Sequence, residues 1–396
     1  MKFELINTRQ GIHDTQSRIT SASHSVLQQS GEGWSVSMHR MHGGLSDGVD
    51  VITLNNGRMT LWILPTRGMG VWRGEVDGIP LQWNSPVEMP VHPSFVDQSR
   101  RGGIGWLDGF NELICRCGLG WHGAPGTDIV RNPDGSVVSE QFLPLHGRIA
   151  NLAAHQVTVE ISEDDRGLIT VTGVVDETSV FGGRLRLTSV LSTVTGSNSF
   201  EIADTVTNLG STQAEVEMLY HCNVGEPFLA AGSVYHGAAS EVAPRDARAA
   251  EGLSMWNIYE GPSRGFAEQV YFCAAAADVN GWGIGVLTDE DAQHAFCVRY
   301  DTATLPYFAL WKNTQALEDG YCTGLEPASS FPNLRSVERE NGRVIQLAPH
   351  HSVTFRLSFE AAADRKRVRQ LVDEVTTLQV ATPRTVHSEP KAEWSP

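Results

Sequence analysis

Three short segments carry titratable side chains in settings suited to moving protons. They are Leu143–Arg148 (LPLHGR), Leu219–Gly225 (LYHCNVG) and Gly324–Ser329 (GLEPAS). Each places a histidine or glutamate among apolar or glycine neighbours, beside a run that reads as a strand. A carboxylate and an imidazole held rigidly, with shifted pKa values, can take a proton from one oxygen and give one to another. Each group alone also has an ordinary structural reading. His146 can be a turn histidine bonded to a backbone carbonyl, and His221 a half-buried core histidine. Glu326 precedes Pro327, so its backbone is extended, and a solvated strand edge is its usual place.

Other residues can line a pocket around these three. Arg67 and Arg148 can orient hydroxyls or a carboxylate, or else form surface ion pairs. Trp311 can stack on a ring or pack in the core, and Lys312 can bond a hydroxyl. Asn223 and Glu268 complete the candidate set.

The elements that must position these groups are strands. Val51–Leu54 and Met59–Leu64 flank Asn56-Gly57, a hairpin signal because both residues tolerate positive φ. Val71–Val76 follows, and then Asp77-Gly78 makes a second turn. Further runs cover Gln156–Ile161, Leu168–Val175, Arg184–Val194, Ser199–Asn208, Val270–Ala275, Gly283–Thr288, Ala295–Tyr300, Tyr307–Lys312 and Ser352–Phe359. The period-two alternation in Leu168–Val175 and Ser199–Asn208 predicts sheets with one buried face. Residues 84–135, rich in Pro, Gly, Trp and His, read as loops over one mouth of the sheet. One helix is expected over Ala361–Leu378, with its apolar stripe at Val368, Leu371, Val372, Val375 and Leu378. The expected layout is an N-terminal arm or strand pair over residues 1–45, a β domain over 46–360, and a C-terminal helix and mobile tail over 361–396. All of it forms one domain.

The joint order of the three segments resembles the aldose 1-epimerase (galactose mutarotase) superfamily, and most closely its DUF4432-type branch. The resemblance runs from about Gly57 to Phe359. It is carried also by Leu64–Met69 (LPTRGM), Phe181–Leu187 (FGGRLRL), Asp204–Asn208 (DTVTN), Glu268–Tyr271 (EQVY) and Leu310–Lys312 (LWK). It implies an all-β fold, the β-supersandwich of large antiparallel sheets with few helices, with the site on a concave sheet face. It also implies roles: Glu326 as general base, His221 as general acid, and His146 as a hydroxyl-binding partner of the acid. Ordinary galactose mutarotases carry an early Asn-Arg pair and an Asp ahead of the glutamate. Neither is matched here, so the sugar stays open among an aldose, a keto sugar, a uronate and a sugar acid lactone.

Composition narrows the partners. The chain has 46 acidic and 30 basic residues, a net charge of −16, which disfavours nucleic acid and anionic membrane surfaces. The first ten residues lack the apolar stretch of a secretory signal, and no apolar run is long enough to span a membrane. Six scattered cysteines read as reduced thiols, which suits the cytoplasm. No HExxH or paired CxxC pattern occurs, so no metal or other cofactor is expected. The expected partner is a small-molecule carbohydrate, with a homodimer left open. Acid–base anomer interconversion is the first expectation. A non-catalytic carbohydrate-binding or sensing protein is the second, and a polysaccharide lyase or hydrolase the third. In the second reading Trp106, Trp121 and His122 of the 84–135 loops form the binding surface. For His221 and Glu326 to hold a sugar between them, their separation is expected at roughly 5–8 Å, from hydrogen-bond reach at both ends.

Overall fold

The computed structural model describes residues 1–23, 33–162 and 167–395. Two large, mainly antiparallel sheets of ten and thirteen strands dominate it. Their inner faces share one core. Val157, Val171, Leu187, Ile202 and Phe355 come from the ten-stranded sheet, and Val36, Leu61, Ile114, Cys222, Leu310 and Leu325 from the thirteen-stranded one.

Alternation shows why the backing sheet forms. In Leu168–Thr178, Arg184–Val194 and Ser199–Asn208, buried residues alternate with more exposed ones, and the buried set faces the shared core. The centre of the larger sheet is different. Leu219–Val224 and Cys322–Ala328 are buried along their whole length. One face lies on the core, and the other lies under a second cluster that includes Trp83, Trp106 and Phe110.

A buried polar tie crosses between the sheets. Arg116, on the larger sheet, donates from Nη2 to Ser189 Oγ at 2.9 Å and to Asp204 Oδ1 at 3.2 Å, both on the backing sheet. The Tyr220 hydroxyl donates to Asp204 Oδ2 at 2.8 Å. Asp204 thus joins layers.

Several expectations change. Residues 84–135 are not loops alone: Ile114–Cys117 is an inner strand of the larger sheet, between Leu219–Val224 and Gly70–Val76. The helix spans Arg365–Ala381, because the strand Ser352–Ala362 runs through Ala361 and Ala362. Asp364 caps the helix by accepting from the N–H groups of Lys366 and Arg367. The C-terminal tail is pinned: Thr385–Val386 pairs with Glu241 and Val242, and Trp394 is buried, 4.8 Å from the Phe331 ring. In the N-terminal segment, Lys2–Asn7 pairs with Gln156–Ile161 and Ser35–Arg40 with Asp50–Asn55. Residues 24–32 lie outside the described residues. No helix among the described residues is long and apolar enough to cross a membrane.

Candidate active site

Four adjacent strands of the larger sheet build the site. In order they are Tyr307–Asn313, Cys322–Ala328, Leu219–Val224 and Ile114–Cys117. Residues directly opposite one another on antiparallel strands share a face. Cys115 lies opposite His221, and Ala309 opposite Glu326. Asn223 lies opposite Gly324 and Leu219 opposite Ala328, a register that sets His221 against Glu326. Pro327 has no N–H to give, and the ladder between the two strands skips from Leu219–Ala328 to Cys222–Leu325.

The result is direct contact. His221 Nε2 lies 3.2 Å from Glu326 Oε1. The expected gap wide enough for a sugar ring is absent, because the two residues are cross-strand neighbours rather than opposite walls. Both are deeply set, Glu326 at 3% and His221 at 5% exposure. The contact lacks hydrogen-bond alignment, and Oε1 has no hydrogen-bond partner among the described residues.

Small side chains make the floor. A Cβ on Gly324 would stand 2.3 Å from Glu326 Oε1 and 3.1 Å from His221 Cε1. Gly324→Ala must therefore push the carboxyl off His221. A misplacement of this size costs on the order of 10²-fold in rate. The expected result is that loss in any turnover the pair supports, with an unfolding midpoint close to wild type. Full activity in Gly324→Ala would show that the contact is dispensable.

Asn223 sets the proton on His221. Its Nδ2 donates to the backbone carbonyls of Glu112 (2.9 Å) and His221 (3.2 Å), so its Oδ1 is the acceptor. That oxygen lies 2.6 Å from His221 Nδ1, which therefore carries the hydrogen. Nε2 of the neutral ring is then the bare nitrogen, and it is the atom 3.2 Å from Glu326 Oε1.

Burial decides the charge states. It pulls His221 down to about 3, with repulsion from His146 adding to it. It pushes the Glu326 carboxyl well above the usual carboxylate range, with Glu268 adding to it. Burial thus favours a neutral imidazole beside a carboxyl that keeps its proton to higher pH than an ordinary glutamate.

His146 adopts φ 60° in a tight turn with Gly147. Any Cβ on Gly147 would meet the carbonyls of Gly118 and Trp121 at 2.2 Å, which explains the His-Gly pair. His146 Nδ1 donates to the His122 carbonyl at 2.8 Å, leaving Nε2 as an acceptor. Its ring lies 5.6 Å from that of His221, and burial lowers it to about 4. Phe110, Trp311 and Trp106 surround His221, with ring centroids at 4.9, 5.3 and 6.3 Å. Trp311 Nε1 donates to Glu268 Oε2 at 2.6 Å, and Arg245 Nη2 to Glu268 Oε1 at 2.9 Å. Glu268 and Arg245 form a charged rim whose fields reach Glu326.

Of the expected residues, His146, His221, Asn223, Glu268, Trp311 and Glu326 thus gather. Three do not. Arg67 is wholly buried. It donates to Glu112 Oε1 at 2.7 Å and to Val91 O, Asn151 Oδ1 and Gly109 O, so it clamps the loops. Lys312 follows Trp311 on a strand and faces the other side. Its Nζ caps the carbonyls of Met255 and Ile258 at 2.8 and 2.6 Å, and burial lowers it to about 8. Arg148 is exposed, and its charge acts on Glu177. Sequence reasoning gave Trp106 only a surface-binding role and missed Phe110 and Arg245. The two aromatics lie in a stretch without period, and Arg245 belongs to no motif. Among the described residues, hollows of about 250–800 Å³ open elsewhere, and neither His221 nor Glu326 lines these.

Comparison with known proteins agrees with this architecture. Residues 46–361 match a family described as a domain of unknown function, DUF4432. The structure is similar to that of a candidate aldose 1-epimerase from Klebsiella pneumoniae, with 31% identity, 99% of each chain covered and a TM-score of 0.92. It is more distantly similar to a galactose mutarotase-like protein from Clostridium acetobutylicum (15% identity, 83% and 99% covered, TM-score 0.56). A candidate aldose 1-epimerase from Escherichia coli is a comparable match (15%, 80% and 100%, 0.53). No curated protein sequence matches. The fold is the expected galactose mutarotase-like β-supersandwich of large antiparallel sheets with few helices.

Proposed function

This chain belongs to the DUF4432 family, and from that premise we propose that it interconverts the anomers of a cyclic sugar through the His221–Glu326 pair. The observation that carries the reading is the buried 3.2 Å contact between Nε2 and Oε1. In a cyclic aldose the anomeric oxygen and the ring oxygen hang on the same carbon. An acid and a base in contact can therefore serve both, with the sugar seated over the pair rather than between its members.

The proton count closes. Once a small rotation of the carboxyl aligns the contact, Glu326 passes its proton to His221 Nε2, giving a carboxylate and an imidazolium. The carboxylate takes the anomeric hydroxyl proton, the bond from C1 to the ring oxygen breaks, and the imidazolium protonates that oxygen. After rotation about C1–C2 the same steps run backwards and the ring closes on the other face. His146 Nε2 accepts from a sugar hydroxyl, and Trp311 offers a ring face. Six buried, unpaired cysteines support a reducing compartment such as the cytoplasm.

The near-closure of the pair also favours one competing reading, a carbohydrate-binding protein without turnover. Two-dimensional exchange NMR over a panel of aldoses, keto sugars and uronates separates them. Anomer cross-peaks growing faster than in buffer are expected for at least one sugar. Tight binding with no accelerated exchange would move the protein to the binding class.

A further inference from the structure

A hollow lies on the same sheet face as the His221–Glu326 pair, two strands beyond His221. By ordinary strand spacing that is on the order of 10 Å away. Its volume is about 470 Å³, and Trp72, Arg73, Trp83 and Asn111 are in its wall. The Gly70–Val76 strand carries a bulge here: Trp62 pairs with Arg73 and Ile63 with Val71, leaving Trp72 as the extra residue. A bulge re-aims side chains. The Arg73 guanidinium consequently lies over two indoles, 4.7 Å from the Trp62 ring centroid and 4.3 Å from that of Trp72.

Arg73 makes no hydrogen bond or ion pair with any described residue, and its Nε is buried without a partner. The Glu75 carboxylate, two residues along the strand, acts on its charge without reaching bonding distance. Asn111 is 4% exposed and its Oδ1 also lacks a partner. With indole rings against it, the guanidinium is left its N–H edge, the geometry that takes a carboxylate with two parallel bonds. Of the two acids in the wall, Glu318 is paired with Arg264 at 3.3 Å. Glu88 stands exposed, and its charge favours a ligand with one negative charge among hydroxyls over a phosphate ester.

We propose that this hollow is a subsite for the carboxylate of a uronic acid unit, held by Arg73. The proposal rests on the sugar-handling reading only for the ring that carries the carboxylate. Trp83 links the two places: its ring lies 5.1 Å from that of Phe110, which lies 4.9 Å from that of His221.

The test is calorimetric titration with methyl β-glucuronide, whose anomeric carbon is locked, against methyl β-glucoside and glucose 6-phosphate. The glucuronide is expected to bind wild type and Glu326→Gln alike, at least about tenfold more tightly than either comparator. Arg73→Gln loses at least about tenfold and Arg73→Lys an intermediate amount, because lysine keeps the charge but not the paired bonds. Unchanged melting of both variants is the folding control. Glucuronide affinity untouched by Arg73→Gln, or equal affinity for a comparator, overturns the subsite. Exchange of neutral sugars by Arg73→Gln is read separately, so failure of the subsite and failure of the proton-transfer pair remain distinct.

Discussion

Glu326→Gln loses anomer exchange by ~10²–10⁴-fold, the usual contribution of one positioned acid–base group, while sugar binding persists. The amide keeps the shape of the acid but cannot pass a proton to His221 Nε2, so the pair never reaches its charged form. Exchange NMR gives the rate and calorimetry the binding. The pH profile follows from the same burial. On the acid side, turnover holds until about 4, where His146 takes a second proton and loses its acceptor Nε2, and falls further at about 3 with His221, both far below an ordinary histidine. On the alkaline side it falls where Glu326 finally loses its proton, well above the usual carboxylate range. Stability carries the matching sign. The folded state holds the Glu326 proton more tightly than the unfolded chain does, so this group's destabilising effect is absent below the ordinary glutamate pKa and grows as pH rises past it. Urea melts should show wild type losing ground to Glu326→Gln between acid and neutral pH. A variant that exchanges sugars at the wild-type rate contradicts the assignment.

Arg67→Met destabilises the protein by about 3–5 kcal/mol, the range for breaking a fully buried ion pair by removing one partner. Both side chains are wholly buried, and Glu112 is left without a cation. The damage also reaches the site. The Glu112 carbonyl accepts from Trp83 Nε1 at 3.1 Å and from Asn223 Nδ2 at 2.9 Å, and Asn223 holds the His221 proton on Nδ1. Activity should therefore fall even where the variant remains folded. Urea unfolding checks the stability. Near-wild-type stability with weakened sugar affinity would instead make Arg67 a substrate contact.

Much of the framework was legible because alternation reports a sheet with one buried face. Arg184–Val194 and Ser199–Asn208 have the bounds that their pattern suggests. Ile114–Cys117 was not, since all four residues are buried and a strand covered on both faces has no alternation to read. Within the site, His221 and Glu326 stand out as residue types in short motifs. Their contact does not, because register depends on every pair along both strands and on the gap at Pro327. Arg67 reads as a surface or pocket arginine until folding brings Glu112, 45 residues away, against it. Lys312 was a failure of a simpler kind: it follows Trp311 on a strand, so if one faces the site the other faces away.

Nitrogen-15 NMR of the His221 ring, across pH and with sugar added, measures the proton inventory of the pair. In the free protein at neutral pH the ring should be neutral, with hydrogen on Nδ1 and none on Nε2, and Nε2 should shift toward the protonated form when sugar binds. An imidazolium at neutral pH without sugar, or hydrogen on Nε2 with Nδ1 bare, contradicts a single proton shared with Glu326.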